Sequence, residues 1–336
     1  MDTGLALPLL VALIAVALAF DFLNGMNDAA NSIATIVSTR VLRPQYAVAW
    51  AAFFNFIAFM VFGLHVAETV GRGIVEANAI DARVIFAALT GAIVWQIVTN
   101  RLGIPSSSSH ALIGGLVGAG MAKAGSAAVV WTGVLKTVSG IVLAPGLGCL
   151  TALMLVLMVT WTFLRFTPFG VDRFFRRAQF VSASCYALGH GGNDAQKTMG
   201  IIAVLLYSQG YMGTQFHVPF WVVLACQAAM ALGTLAGGWR IVKTMGSSIT
   251  RLQPVGGFCA ETAAATTIIG STYLHIPIST THAITGSILG VGSSKSLRSV
   301  RWIWGQRIVV AWVLTIPCSA FMAAISYLLV HWLLPG

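Results

Sequence analysis

Apolar runs of roughly 20 residues, the length that crosses a hydrocarbon core of about 30 Å as helix, follow one another along nearly the whole chain. They cover residues 4–23, 45–65, 84–100, 134–164, 217–237, 255–274 and 308–334, with short connections between them. In lipid the backbone polar groups must be satisfied internally, and the alternation of membrane strands is absent, so only a bundle of helices fits. Composition agrees: 57% of the residues are hydrophobic and 8% charged, where soluble domains carry about 25% charge. The chain reads as an all-α integral membrane protein, multi-pass, with the lipid bilayer as its solvent. Its first apolar run lacks a basic leader and a small-residue cleavage site, and is expected to stay as a span.

The formal charge is +10. The basic residues lie in the connections, where topology accounts for them, and no nucleic-acid partner is indicated. Cys149, Cys185, Cys226, Cys259 and Cys318 occur singly in apolar stretches, without metal-ligand spacing, and read as small core residues.

Polar residues inside these runs are the exception that carries information. Gly25-Met26-Asn27-Asp28-Ala29-Ala30-Asn31 recurs as Gly191-Gly192-Asn193-Asp194-Ala195-Gln196-Lys197, 166 positions later. Pro105-Ser106-Ser107-Ser108-Ser109-His110 recurs as Pro277-Ile278-Ser279-Thr280-Thr281-His282, 172 positions later. Two motifs repeated in the same order mark an internal duplication. The first motif of each half is expected to break its helix. The second opens on Pro and hydroxyl residues and turns Gly-rich, so 103–120 and 275–293 are expected to be helical hairpins.

Charge orients the halves. The connection 39–44 has two arginines and its counterpart 208–216 no charge, whereas 66–83 is net acidic and its counterpart 239–251 carries three basic residues. Corresponding loops therefore lie on opposite sides of the membrane. The expected plan is an inverted-repeat secondary transporter: 1–164 as the first repeat, 165–179 as a basic cytoplasmic linker and 180–336 as the second repeat. Each half makes five crossings, with both termini outside.

A carboxylate within a span is costly and marks function. Asp28 and Asp194 could ligate a small cation, carry a proton, or cap the helix that follows. Ser106, Ser107, Ser108, Ser109, Ser279, Thr280 and Thr281 put hydroxyl donors at two helix N-termini, where free N–H groups and the helix dipole favour an anion. Two such tips face to face would surround a tetrahedral oxyanion such as phosphate or sulfate. Asn31 is matched by Lys197, which could contact an anion or fill the place of a cation. Glu261 is a lone acid in an apolar span, suited to a coupling ion or to an ion pair.

At these residues the chain resembles the inorganic phosphate transporter (PiT) family, whose signature is close to Gly-Ala-Asn-Asp-Val-Ala-Asn-Ala in each half. The two Asn-Asp motifs, the two Pro-Ser/Thr-His tips and Phe258-Cys259-Ala260-Glu261 match it over nearly the whole chain. The resemblance implies a phosphate symporter of the cytoplasmic membrane, commonly a homodimer. Phosphate would be held by the tips with Asn27, Asn193 and Lys197, and the coupling ion by Asp28, Asp194, Asn31 and Glu261. Sodium-using animal members tend to have Glu where this chain has Asn55 and Asn where it has Lys197, which places this chain with the bacterial, proton-coupled members. No cofactor, resident metal or covalent chemistry is expected. Sulfate transport, an anion channel and an intramembrane metal-dependent hydrolase built on His110, His282 and the aspartates are the rival readings, the last weakened by the lack of HExxH spacing.

Overall fold

The computed structural model describes residues 6–64, 67, 74–76, 79–212, 216–274 and 278–333. Glu68 and Arg72 of the first acidic connection, and Pro277 with 275–276 of the second tip, lie outside the described residues. The first half contains α1 (Leu7–Ser38), α2 (Pro44–Ile57), α3 (Ala82–Leu102), α4 (Ser108–Ala124) and α5 (Trp131–Phe163). In the second half come α6 (Pro168–Ser208), α7 (Phe220–Ala236), α8 (Trp239–Lys243) running into a π turn at Thr244–Ser248, α9 (Pro254–Tyr273), α10 (Thr280–Lys295) and α11 (Trp302–Leu333). By length and composition α1, α3, α5 and α11 can each cross a membrane, and α7 with the segment after its 63° bend can form a further span.

The element order repeats, with α1–α5 matched by α6, α7, α9, α10 and α11. Packing repeats with it. The tip helix of each half lies on the last helix of the other, α4 on α11 and α10 on α5; likewise α1 packs on α7 and α6 on α2. Glycines permit these approaches. A Cβ at Gly114 or Gly118 would overlap the backbone of Ile316 or Ala320, and one at Gly286 or Gly290 that of Pro145 or Cys149. Both are Gly-x-x-x-Gly faces, which let helix backbones meet closely in lipid. Pro145 and Pro317, 172 positions apart, sit inside α5 and α11.

Three expectations are corrected. First, neither Asn-Asp motif breaks its helix, since α1 and α6 run through residues 24–31 and 190–197 without interruption. The polar side chains bond to other helices, the alanines between them favour helix, and the backbone ladder stays intact. Second, 103–120 is no hairpin by itself. Gly103 ends α3 in the left-handed region at φ 67°, a short extended stretch follows, and α4 is one helix. Any hairpin there has α3 as its first arm, and α9 stands in the same relation to α10. Third, the linker 165–179 is largely helical: Thr167 caps α6 by accepting from Gly170 N at 3.3 Å, Pro168 is its first residue, and Arg176 pairs with Asp172 at 2.6 Å.

Candidate functional site

The N-termini of α4 and α10 meet head to head between α1 and α6. Ser107 and Ser279 are their caps, accepting from His110 N at 3.2 Å and His282 N at 3.3 Å, so the next two hydroxyls of each tip face the centre. Ser108 Oγ donates to Asp28 Oδ2 at 3.2 Å, and its counterpart Thr280 donates to Asp194 Oδ2 at 2.9 Å. Thr281 Oγ1 lies 3.2 Å from Asp28 Oδ1 and receives Asn31 Nδ2 at 2.8 Å; its counterpart Ser109 receives Lys197 Nζ at 2.5 Å. Each acid thus engages the tip of its own half, Asp28 also that of the other half, and the residue three positions after each acid engages the tip of the other half.

The symmetry breaks at one residue. Asn31 Nδ2 also donates to Asp28 Oδ1 at 2.8 Å, whereas Lys197 makes an ion pair with Asp194 and reaches the carbonyl of Ile278 at 3.3 Å. His190 Nδ1 stands 3.4 Å from Asp194 Oδ2 and 3.2 Å from Thr280 Oγ1. All of these groups are buried: Asp28 is 2% exposed, Asp194 1% and Lys197 3%.

Asn27 and Asn193 turn away from the tip hydroxyls. Asn27 accepts from Asn100 and donates to the carbonyl of Gln96 at 3.4 Å; Asn193 donates to Thr272, the counterpart of Asn100, at 3.0 Å. They hold the ends of α3 and α9 against α1 and α6. Ser106 Oγ is likewise used, donating to Thr99 at 2.9 Å.

Glu261 is apart from this centre, in a second buried polar cluster. Thr35, Gln179 and Ser182 donate to it at 2.6, 3.0 and 2.5 Å, and Thr39 donates to Gln179 at 2.8 Å. No lysine or arginine pairs with it among the described residues. Asn55 belongs to neither cluster and donates to Thr234 of α7 at 3.0 Å. The rings of His110 and His282 lie 4.8 Å apart behind the tips, and His282 stacks on Trp312 at 3.9 Å.

Sequence reasoning passed over His190, Gln179, Ser182 and above all Asp21, which is fully buried on α1 and accepts from Thr198 Oγ1 at 3.0 Å. The signal for Asp21 was present: a single acid in an apolar run, seven residues before Asp28.

Order along the helices is also informative. Asp21, Asp28 and Thr35 of α1 face Thr198, Asp194 and Ser182 of α6 in turn, so the two counterpart helices run antiparallel.

Residues 24–323 match the profile of a family described as the phosphate transporter family. Over 327 residues the chain is 68% identical to a protein of Rhizobium meliloti named probable low-affinity inorganic phosphate transporter, a match covering 97% of this chain and 98% of that one. A Bacillus subtilis protein of the same name is 42% identical, with 98% and 99% covered. Among solved structures, one titled the sodium-dependent phosphate transporter superposes with a TM-score of 0.89 over 98% of this chain and all of the other, at 24% identity.

Proposed function

This chain belongs to the phosphate transporter family, and we propose that it is a cation-coupled symporter importing inorganic phosphate across the cytoplasmic membrane by alternating access, with the proton favoured over sodium. The observation that carries this reading is the pairing of both tips with both acids. A hydroxyl has one proton to donate. While Ser108 donates to Asp28 and Thr280 to Asp194, neither can donate to an anion. A cation or proton loaded onto the carboxylates removes their claim on these hydroxyls, which are then free for phosphate between two positive helix ends. Binding of the two cargoes is thereby linked, the condition for symport.

On this reading Ser108, Ser109, Thr280 and Thr281 are the principal phosphate donors. Ser106, Ser107, Ser279, Asn27 and Asn193 hold the tips in place, and Asp28, Asp194 and Asn31 handle the coupling ion. Lys197 stands where a cation would sit beside Asp194, which leaves fewer cation positions than a symmetric site would have and favours the proton. The antiparallel α1 and α6, with the doubled packing pairs, support an inverted repeat. Lys123 at the end of α4 pairs with Asp81 at the start of α3 at 2.7 Å, which favours a re-entrant hairpin over the two extra crossings per half expected from the sequence, and the arginines after α1 favour a cytoplasmic end for it. Assembly as a homodimer belongs to the same proposal. The relatives are named for phosphate, which gives the sulfate reading no support.

The test is labelled phosphate uptake into liposomes holding the purified protein, under an imposed proton or sodium gradient with the membrane potential clamped. Concentrative uptake driven by protons supports the reading; equilibration without accumulation under either gradient contradicts it.

A further inference from the structure

We propose that Asp21 is a proton-carrying station on the outer side of the central site, the first of three positions on a single face of α1, two of them acids (Asp21 and Asp28) and the third Thr35, which bonds Glu261 of α9. The inference rests on the proton-coupled reading above and adds a residue and a direction to it.

Asp21 is fully buried, and Thr198 Oγ1 donates to its Oδ1 at 3.0 Å. Its Oδ2 has no hydrogen-bond partner among the described residues, and neither has Oδ1 of Asn24, one turn further along α1. At this level α1, α6 and α7 pack through Ala17, Phe20, Met199, Ile202 and Cys226. An ionised carboxylate with half of its acceptors unmet in such surroundings is costly. Glu261 shows the alternative, an acid whose oxygens are met by three donors. The bare oxygen of Asp21 therefore calls for a positive partner. A metal ion stripped of its water would need about six oxygens, while a proton needs one. On this stretch of α1 the unmet oxygens are Oδ2 of Asp21 and Oδ1 of Asn24, and two oxygens alone fit a proton.

Position gives the site its meaning. Asp21 lies seven residues before Asp28, and Thr35, which donates to Glu261, lies seven after it. Seven residues make nearly two turns, so the three positions share one face of α1 at intervals of about 10 Å. They extend through about two thirds of a 30 Å hydrocarbon layer. Helix α6 faces them with Thr198, Asp194 and Ser182. The duplication copied the centre but neither flanking acid: the counterpart of Asp21 is Ala187 and that of Glu261 is Leu89. A symmetric centre thus has unlike acids above and below it, which gives proton movement a direction. Arg40 and Arg43 follow the far end of α1, so Asp21 is on the outer side.

The step is a proton transfer and nothing else. An O–H bond forms on Asp21 Oδ2 with a proton from outer water, and breaks when water carries that proton on to Asp28 or Asp194; Asp21 returns to its starting charge. The ionisable groups around it are few. Helix α6 presents Lys197 next to Thr198 and Asp194 one turn before it, and α7 presents Cys226. The titratable side chains of α3 are Arg83 and Arg101 near its two ends, and that of α2 is Tyr46 near its start.

The experiment compares wild type, Asp21→Asn and Asp21→Glu in proteoliposomes, measuring phosphate accumulation under an inward proton gradient and labelled-phosphate exchange at equal pH. Asp21→Asn is expected to lower driven accumulation about tenfold or more while exchange stays within about twofold, and Asp21→Glu, which keeps a titratable oxygen, to retain accumulation. Accumulation by Asp21→Asn at the wild-type level overturns the proposal. So does loss of both activities in Asp21→Asn with neither retained in Asp21→Glu, the behaviour of a structural residue. Wild-type accumulation driven by sodium and not by protons is a separate failure, visible before any variant is compared; it removes the coupling reading and this proposal with it.

Discussion

The carboxylates of Asp28 and Asp194, 166 positions apart in the chain, come together so that one ligand oxygen of each, with a ring nitrogen of His190, lies within 4.8 Å of the others. They are unequal. Lys197 neutralises Asp194, while Asp28 is held by the neutral donors Asn31, Ser108 and Thr281. The acid without an ammonium partner is the one a coupling cation would load.

Asp28→Asn is therefore expected to abolish gradient-driven uptake without unfolding the protein, because the amide keeps the size of the side chain and strands no charge. Thermal unfolding in detergent within a few degrees of wild type, together with uptake at the background of empty liposomes, is the expected result. Normal concentrative uptake would remove Asp28 from the coupling site.

Asp194→Asn is expected to behave differently, since it leaves the Lys197 ammonium buried and unpaired. Breaking a buried ion pair from one side costs about 3–5 kcal/mol, so the melting temperature should fall clearly. Adding Lys197→Met to Asp194→Asn should recover most of that loss. A double mutant no more stable than the single would mean that the pair contributes little.

Glu261 collects three donors, and its removal leaves Thr35 Oγ1 and Gln179 Nε2 without that acceptor, while Ser182 keeps the Gln179 carbonyl at 3.2 Å. At about 1–3 kcal/mol for each buried polar group left unsatisfied, Glu261→Ala should destabilise by at least about 2 kcal/mol, measured by thermal or denaturant unfolding. Glu261→Gln retains an acceptor oxygen and should lose much less stability.

Close helix contact supplies an independent check on the packing. Gly118→Leu and Gly290→Leu would drive a side chain into the backbone of α11 and α5, and each should cost about 1–3 kcal/mol. Gly146→Ala meets open space within 4 Å and should be neutral.

The doubled architecture could be read from the sequence because duplication left identical residue types at fixed offsets, Asn27 with Asn193 and His110 with His282. That the tips and the Asn-Asp motifs share one centre came from the family resemblance, and the offsets alone do not say which hydroxyl meets which acid. The broken helices did not, because polar residues in an apolar run look like a break when their partners are unknown; here Ser108, Thr280 and Thr281 are those partners, and the helices stay whole. That Asn27 holds α3 and not the centre depends on Gln96 and Asn100, residues about 70 positions away whose proximity no local pattern encodes. Asp21 was hidden by averaging, one acid among some twenty apolar residues. Gln179 and Ser182 adjoin an arginine-rich stretch that reads as a loop and is helical.

The central claim is that loading the acids releases the tip hydroxyls to phosphate. Its most direct test is equilibrium binding of labelled phosphate to the purified protein, titrated with protons and separately with sodium, with the concentration of each phosphate species held constant. Wild type should bind more tightly as the coupling cation rises, by about 5- to 150-fold for a coupling energy of 1–3 kcal/mol, and Asp28→Asn should bind phosphate independently of the cation. Phosphate affinity in wild type that responds to neither cation would contradict the account.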